Sequence, residues 1–228
     1  MSNPKVDFDD YTDNYNSLLR ESTGFFTESE AYFAKYKVDI LRRVVPISTR
    51  RLLEYGCGIG RNIPFLRAAF PDATINGSDI SAASLEIARK ENSGVEFFIE
   101  PTETASGEPF EVIFIAGVFH HIPVNERPGV MKTLYQRLAP GGSIVIFEHN
   151  PFNPVTRKIV NDCPYDRDAV LLKPSELKRL LEDAGLPVHC SAYCLFVPPS
   201  LSALLPLEAK LGWLPLGGQY WVKATRRE

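Results

Sequence analysis

The sequence has few cysteines, no long apolar run and no excess of basic residues, and each absence excludes a class of protein. Its four cysteines form no Cys-x-x-Cys pair, and the longest apolar stretch, about residues 112–119, is far short of the roughly 20 residues that span a bilayer. There are 25 lysines and arginines against 28 acidic residues, a net charge of −3. We therefore expect no disulfide-built domain, no transmembrane helix and no nucleic-acid partner.

The amino terminus also lacks the features of a secretory leader. The residues MSNPKVDFDD contain neither a basic region nor an apolar one, so we expect a cytoplasmic protein. His189, Cys190 and Cys194 lie close along the chain, but their spacing fits no common zinc motif. We therefore predict free thiols and no metal site.

From residue 51 onward, short apolar runs alternate with helical patterns. Such alternation predicts βαβ units and a parallel sheet that is covered on both faces. Ser81 is a suitable N-cap for one helix, and Pro140-Gly141-Gly142 should end another. The expected strands are 51–55, 74–78, 95–99, 112–116, 143–148, 188–197 and 219–225, and the expected helices are 63–70, 82–91, 125–138 and 174–184.

The two ends of the chain depart from this alternation. Residues 1–50 hold no strand candidate, and the apolar periodicity of 29–45 predicts a helix, so we expect an amino-terminal helical cap followed by one domain over 51–228. Two segments should form lids over a ligand: a proline-containing loop at 150–172 and a leucine- and proline-rich stretch at 198–217.

Three glycines at alternate positions give the strongest signal. Gly56, Gly58 and Gly60 follow a hydrophobic strand and precede a helix. Glycines let the backbone approach a ligand closely, and the start of a helix offers unpaired N–H groups. A dinucleotide fingerprint would place glycine where this chain has Arg61, so the spacing disfavours a pyrophosphate ligand and a nicotinamide-dependent oxidoreductase.

Asp79 supplies a second element at the end of the second predicted strand. A carboxylate about twenty residues after the glycines can accept hydrogen bonds from both hydroxyls of a ribose. Nicotinamide-dependent enzymes also bind the ribose with a carboxylate at this position. The alternative role for Asp79 is to cap the helix that follows. Together with the glycine run, the position favours a nucleoside ligand.

At this point the chain resembles the class I S-adenosylmethionine-dependent methyltransferases. The resemblance rests on the E-x-G-x-G-x-G run from Glu54, on Asp79, on the strand and loop 110–122 and on the L-x-P-G-G turn at 138–142. It covers about residues 50–150. It implies an α/β, doubly wound, mostly parallel seven-stranded sheet of Rossmann-like type, with strand order 3-2-1-4-5-7-6, strand 7 antiparallel and S-adenosylmethionine as cofactor.

The resemblance also implies roles for individual residues. Glu54 and the loop Gly56–Gly60 would hold the methionine moiety, Asp79 the ribose, and a tyrosine of an amino-terminal lid would cover the cofactor. The residues expected to bind cofactor are Tyr15, Glu54, Gly56, Cys57, Gly58, Gly60 and Asp79, with Ile80, Glu100 and Pro101 near the adenine and Ala116 and Gly117 beside the sulfonium.

Three histidines are the candidates for taking a proton from an acceptor. His120 and His121 follow the fourth predicted strand, and His149 ends the fifth. Histidine suits proton transfer because its ordinary pKa lies near neutrality. Adjacent residues cannot both face a ligand in regular structure, so at most one of the pair should act. The alternative for all three is a structural role in shaping the loops.

The acceptor itself cannot be named from these residues. The loop from Ala116 to Phe119 lacks the Asp/Asn-Pro-Pro-aromatic run that base-methylating enzymes carry, so we expect a small-molecule or lipid-like acceptor and slightly favour methylation on oxygen. The apolar residues of 195–213 either pack a lid helix or receive a hydrophobic acceptor, with membrane contact as a variant. N- or C-methylation, transfer from the decarboxylated cofactor and a non-catalytic cofactor-binding module stay open as alternatives.

Overall fold

The computed structural model describes Val6 and residues 30–101 and 108–228. Within these residues the strands form a seven-stranded sheet with the order β3-β2-β1-β4-β5-β7-β6. Strands β1 to β5 pair in parallel, whereas β7 is antiparallel to both of its neighbours. This order confirms the one that the family resemblance implied. The strands are β1 Arg51–Tyr55, β2 Thr74–Asp79, β3 Glu96–Ile99, β4 Phe110–Ala116, β5 Leu138–His149, β6 Val188–Cys194 and β7 Gln219–Thr225.

Helices lie on both faces of the sheet, and the bounds of the five predicted helices fall close to the predicted ones. Ser81 is the predicted N-cap, and its side chain accepts a hydrogen bond from the Ser84 backbone N at 3.0 Å. The helices are α1 Glu30–Val44, α2 Ile63–Ala69, α3 Ala82–Glu91, α4 Arg127–Arg137, α5 Pro154–Asp162, α6 Pro174–Asp183 and α7 Leu205–Leu211, with 3₁₀ turns at Phe119–His121, Pro164–Asp166 and Pro199–Leu204.

Two apolar layers hold the helices to the sheet. Successive residues of a strand point to opposite faces, so Leu52 joins one layer and Leu53 the other. α1, α2 and α3 contribute to the layer of Leu52, and α4 and α6 to that of Leu53. Strands that are buried on both sides explain why β4 reads as an almost continuous apolar run rather than an alternating one.

The segment 150–172 differs from its prediction, because α5 occupies its centre. Asn153 caps this helix by accepting hydrogen bonds from the Val155 and Thr156 backbone N atoms, and Pro154 occupies the first turn. Proline is tolerated there because that position has no intrahelical N–H bond to lose. The prediction of a loop was therefore wrong over α5, since Pro154 begins a helix instead of preventing one. Strand β5 also begins earlier than predicted, because it includes the L-x-P-G-G residues and starts at Leu138.

The other predicted lid segment contains a 3₁₀ turn and α7, and no side chain of α7 is classed as buried. Among the described residues, no helix is long and apolar enough to cross a membrane. Cys57, Cys163 and Cys194 are buried and Cys190 is exposed, all as free thiols.

Candidate active site

The candidate residues lie along one edge of the sheet, where the parallel strands end. Glu54 is near the end of β1, Asp79 closes β2, Ala116 closes β4 and His149 closes β5. In open α/β sheets, ligands bind outside the carboxyl ends of the strands. The topology thus brings the predicted cofactor residues and the predicted histidines to the same edge.

The glycine loop is bound to β2 and leaves space above one of its members. The backbone N atoms of Gly56 and Cys57 both donate to the Ser78 carbonyl, at 2.8 and 2.9 Å. A Cβ on Gly56 would lie 2.4 Å from Val118 Cγ2, whereas a Cβ on Gly58 would meet no atom within 4 Å. The loop is therefore tightly packed at Gly56 and open at Gly58. Gly58 also has a φ of +52°, which favours glycine. The Cys57 side chain is buried.

Asp79 connects the glycine loop to the start of α3. Its Oδ2 accepts a hydrogen bond from the Gly58 backbone N at 2.7 Å, and its Oδ1 accepts one from the Ser81 backbone N at 2.9 Å. Burial raises the pKa of Asp79, although these backbone N–H groups oppose the shift. The helix-capping alternative therefore has a basis in the structure, and the same carboxylate also lies directly against the open glycine.

Glu54 is a buried carboxyl with one unsatisfied oxygen. It is 1% exposed, its Oε1 accepts from Asn62 Nδ2 at 2.5 Å, and its Oε2 has no hydrogen-bond partner among the described residues. Burial raises the pKa of Glu54 to about 8, against the opposing effects of the Asn62 hydrogen bond and the Lys37 charge. An unpaired buried acceptor is costly, so this oxygen is a natural partner for a ligand that brings a positive charge.

Of the residues expected near the adenine, Glu100 forms contacts within the chain and Ile80 is exposed. Glu100 forms an ion pair with Arg137 of α4, one of whose contacts joins Nη2 to Oε2 at 3.0 Å, and its backbone N donates to the Asp79 carbonyl at 2.8 Å. The Ile80 side chain is 50% exposed. The adenine-side roles of Ile80, Glu100 and Pro101 stay predictions. Tyr15 lies outside the described residues.

At the end of β4 the chain turns sharply into the histidine pair. Gly117 has a φ of +74°, and its backbone N donates to the Phe147 carbonyl at 2.8 Å, which fixes the end of β4 against β5. Glu148 then accepts hydrogen bonds from the backbone N atoms of Val118 and Phe119, at 3.1 and 2.7 Å. Ala116 and Gly117 thus stand beside the glycine loop, because Val118 packs on Gly56.

His120 is buried between two carboxylates. Its Nδ1 lies 2.6 Å from Glu148 Oε2, and its Nε2 lies 3.7 Å from Asp166 Oδ1. Burial alone would lower the pKa of His120, but the two carboxylates outweigh it and raise the pKa to about 10. The same pairing lowers the pKa of Glu148 in spite of its burial. His120 is therefore held as a charged partner of Glu148.

His121 also lies between two carboxylates, one of which, Asp166, it shares with His120. Its Nε2 lies 3.2 Å from Asp166 Oδ1, and its Nδ1 lies 3.3 Å from Asp168 Oδ1. Burial opposes ionisation of Asp166, but the two imidazoles outweigh it and lower the pKa of this carboxyl. Asp166 and Asp168 belong to the segment predicted as a loop, where no sequence motif singled them out.

His149 completes the group. Its ring centroid lies 5.0 Å from that of His120, which in turn lies 4.1 Å from that of His121. Burial lowers the pKa of His149 to about 4, and the charge on His120 acts in the same direction. The structure thus brings all three predicted histidines together, but in different charge environments.

Two functional features were not predicted from the sequence. Lys37 of α1 has a pKa lowered by burial, against the opposing charge of Glu54, so α1 brings a cationic side chain toward the cofactor edge. The Tyr36 hydroxyl of the same helix donates to Glu208 Oε2 at 2.7 Å, and Glu208 Oε1 accepts the backbone N–H groups of Phe196 and Val197. The helical cap and the second lid segment are therefore joined. The one sequence signal for this link was an acidic residue inside an apolar stretch.

With this geometry established, the comparisons with known proteins assign the family. The sequence model of the family described as "Methyltransferase domain" matches residues 29–191, most of the chain. The chain belongs to this family, which confirms the resemblance to the class I S-adenosylmethionine-dependent methyltransferases and the cofactor, S-adenosylmethionine, that the resemblance implied.

Curated relatives and solved structures agree with this assignment. The trans-aconitate 2-methyltransferase of Methylobacterium nodulans is 29% identical over 134 residues, which cover 56% of this chain and 50% of that protein. The chain thus spans about half the length of this curated relative. An S-adenosylmethionine-dependent methyltransferase from Archaeoglobus fulgidus superposes with a TM-score of 0.67 at 17% identity, covering 93% of this chain and 100% of that one. Magnesium protoporphyrin IX methyltransferase from Synechocystis, solved with S-adenosylhomocysteine, gives 0.62 at 17% identity, covering 96% and 97%. At such identities the two structures support the fold alone.

Proposed function

We propose that this chain transfers the methyl group of S-adenosylmethionine to an oxygen atom of a small-molecule acceptor. The observation that carries the cofactor side is the unsatisfied Oε2 of buried Glu54, which lies at the same sheet edge as the open space above Gly58. A cationic ligand would satisfy that oxygen, and the missing Cβ gives the ligand room. Asp79, on the other side of Gly58, suits the ribose hydroxyls. The residues present therefore fit the cofactor.

In this proposal Glu54 and the glycine loop bind the methionine end and Asp79 binds the ribose. When bound, S-adenosylmethionine supplies a methyl group that is already activated on a sulfonium. The chain must then hold the acceptor atom in line with that group and exclude water, and orientation alone accounts for a large part of the rate of such displacements. Ala116 and Gly117 stand at the sheet edge where the acceptor would meet the methyl group.

Two of the three histidines are paired with carboxylates, and the third, His149, has a pKa lowered by burial to about 4, which makes it a weak base. The histidines therefore favour an acceptor that needs no proton removed. Both ring nitrogens of His120, and both of His121, face carboxylates. A hydroxyl acceptor would require a free base, whereas a carboxylate acceptor is already an oxyanion at neutral pH. The relatives named trans-aconitate 2-methyltransferase support an organic acid as acceptor. In that case Lys37 and His149 serve to bind and orient the acid.

The test uses the different stability of methyl esters and other methylated products. The protein is incubated with S-adenosylmethionine labelled in its methyl group and, separately, with trans-aconitate, a phenol and an amine. We expect label to enter the acid and to be released as methanol by mild alkali, because esters hydrolyse and ethers and methylamines do not. Label that resists alkali would contradict methylation of a carboxylate. Cofactor binding without transfer to any acceptor would favour the non-catalytic module.

One observation supports a second candidate, a hydrophobic or lipid-like acceptor. Leu207, Trp213 and Leu216 of the second lid segment are 48%, 76% and 57% exposed. Exposed large apolar side chains that cluster on a surface are typical of a binding site. If it receives the acceptor, Trp213→Ala should raise the KM for a long-chain acid severalfold without changing that for a short one. Equal KM values in the wild type and the variant for both acids would remove this candidate.

A further inference from the structure

Three side chains that do not belong to the group around Glu54, the glycine loop and Asp79 lie close to one point. The Nε2 atoms of His120 and His121 lie 3.7 and 3.2 Å from the same oxygen, Oδ1 of Asp166, and a donor atom from each of the three residues lies within 4.8 Å of the other two. His120 and His121 come from the turn after β4, whereas Asp166 comes from the 3₁₀ turn after α5. The convergence is therefore a product of the fold and not of a local sequence motif.

The oxygen at the centre of this group lacks a well-formed hydrogen bond. Asp166 is 7% exposed, and no described residue donates a well-aligned hydrogen bond to its buried Oδ1. A buried carboxylate oxygen is normally saturated with donors, and leaving one unsatisfied is costly. The two imidazoles lie close to this oxygen without the alignment that a hydrogen bond requires. A metal ion between the three groups, which would displace the protons on the two Nε2 atoms, would satisfy them together.

Each imidazole is also held from behind by a second carboxylate. His120 Nδ1 lies 2.6 Å from Glu148 Oε2, and His121 Nδ1 lies 3.3 Å from Asp168 Oδ1. A carboxylate on the remote ring nitrogen is the usual companion of a metal-binding histidine, because it fixes the tautomer and turns the other nitrogen toward the metal. Here both histidines have such a companion, and both present Nε2 to Asp166.

We propose that His120, His121 and Asp166 form a binding site for a divalent transition-metal ion, with Zn²⁺ as the best fit. Two imidazoles and one carboxylate suit zinc in a site with three protein ligands and one open position. With ligands about 2.0–2.1 Å from the metal, donor atoms at a tetrahedral site stand roughly 3.3 Å apart. The observed separations of 3.2 and 3.7 Å from Asp166 Oδ1 are close to that value, and the two imidazole donor atoms lie within 4.8 Å of each other.

The site would have a use at the sheet edge where the acceptor is expected. If the proposed function holds, an acceptor oxygen occupies the open position, and the ion binds an organic acid through its carboxylate. This role rests on the proposed function, but metal binding does not. The prediction of no metal site came from the spacing of His189, Cys190 and Cys194, which take no part in this cluster.

The experiment measures metal binding by itself. The purified full chain is freed of metal with a chelator and titrated with Zn²⁺ by calorimetry, and with Co²⁺ by visible absorption, which reports coordination geometry directly. We expect one ion per chain and the strong visible bands of four-coordinate Co²⁺ without thiolate charge-transfer bands. Asp166→Asn and, separately, His121→Gln should weaken Zn²⁺ binding by at least about tenfold.

Matched controls separate this site from adventitious binding. His189→Gln and Cys190→Ser remove the exposed groups most able to capture Zn²⁺ elsewhere, and we expect both variants to bind like the wild type. Binding of S-adenosylhomocysteine shows that each variant is folded, and if Asp166→Asn fails this check, the less buried His121 carries the test. Absence of Zn²⁺ binding by the folded wild type, unchanged affinity in the folded cluster variants, or thiolate bands with Co²⁺ would each overturn the proposal. A failed methyl-transfer assay with intact metal binding would count against the proposed function alone.

Discussion

The sheet edge where the ligands are expected has two halves: a cofactor side around Glu54 and Asp79, and a histidine side around His120. The pKa values of their buried carboxyls are shifted in opposite directions. On the cofactor side, Glu54 and Asp79 are carboxyls whose pKa is raised by burial, and one oxygen of Glu54 is unsatisfied. On the histidine side, Glu148 and Asp166 are also buried, yet each faces an imidazole and has a lowered pKa. On the histidine side an imidazole contacts each carboxylate directly, whereas the Lys37 charge near Glu54 does not outweigh burial, so the close cationic partner makes the difference.

This contrast indicates which half depends on the cationic cofactor. A buried carboxyl without a close cation stays protonated until a cationic ligand binds, which suits a site for a cationic cofactor. A buried carboxylate with an imidazole partner is already neutralised, and it stabilises the local structure without the cofactor. We therefore expect changes on the histidine side to affect folding first, and changes on the cofactor side to affect binding first.

The largest effect should follow from breaking the charge pairing on the histidine side. Glu148→Gln leaves buried His120 without its main partner and weakens the acceptor for the Val118 and Phe119 backbone N–H groups. Breaking a buried pair on one side costs about 3–5 kcal/mol, and we expect that loss in the free energy of unfolding. Denaturant titration in chelator-containing buffer measures it.

Glu111→Gln is the matched control for this prediction. Glu111 is exposed and accepts a hydrogen bond from the Arg50 backbone N at 2.7 Å. We expect its loss to cost less than about 1 kcal/mol, as for other exposed contacts. If Glu148→Gln were as mild as Glu111→Gln, the histidine side would not be stabilised by its charges, and the comparison between the halves would fail.

The next effect concerns cofactor affinity. Asp79→Asn should weaken binding of S-adenosylmethionine and S-adenosylhomocysteine by about a hundredfold, since a hydrogen bond to a charged group contributes about 1.5–3 kcal/mol and each 1.4 kcal/mol is tenfold. Calorimetry with both nucleotides and with NADH measures it. Asp72→Asn, at a side chain that is 68% exposed, should bind like the wild type. Unchanged affinity in Asp79→Asn, or tighter binding of NADH by the wild type, would argue against the ribose role.

The sequence indicates the residues of the cofactor half together but not the contacts of the histidine half, and the reason is distance along the chain. Glu54, Gly58 and Asp79 belong to one βαβ unit, so a local motif identifies them together. His120 meets Glu148 and Asp166 only when strands β4 and β5 and the following turn are assembled. The histidines were named as candidate bases, but no local pattern could reveal that carboxylates hold both rings.

Two other features needed the structure for similar reasons. Pro154 reads as a helix breaker within a proline-rich segment, and its harmless place in the first turn of α5 depends on Asn153 acting as the N-cap. Lys37 lies in a helix whose apolar periodicity was evident, but nothing in that periodicity indicates that the helix packs beside Glu54. The strand order came from the family resemblance, since composition and periodicity do not fix an order.

The next effect distinguishes a glycine that is needed for packing from one that leaves space for the ligand. Gly56→Ala would bring a Cβ 2.4 Å from Val118 Cγ2 at a positive φ, so we expect a loss of about 2–4 kcal/mol in the free energy of unfolding from overpacking and strain. Gly58→Ala meets no atom, so backbone strain of about 1–2 kcal/mol is its main cost. Yet Gly58→Ala should weaken cofactor binding at least tenfold, because its methyl group enters the ligand space. Wild-type affinity in this variant would place the cofactor elsewhere.

The last effect is a pH dependence that originates in Glu54. Because the pKa of Glu54 in the folded chain is about 8, against an ordinary value of 4.5, the folded state holds a proton that the unfolded state has lost between these two values. The free energy of unfolding should therefore fall as pH rises from about 5 to 8, by at most about 1.4 kcal/mol per pH unit. A cationic ligand favours the carboxylate, so cofactor affinity should rise over the same range and level off above pH 8.

Glu54→Gln isolates this contribution, because Asp79 has a raised pKa as well and acts in the same direction. In the variant we expect the decline in stability between pH 6 and 8 to flatten and the gain in cofactor affinity to shrink toward the part due to Asp79. Calorimetry in two buffers of different ionisation enthalpy counts the protons directly: the wild type should release protons on binding at pH 7, and Glu54→Gln fewer. Equal proton release by the two proteins would mean that Glu54 is already ionised before the cofactor arrives, and that the two halves of the edge do not differ in the way proposed.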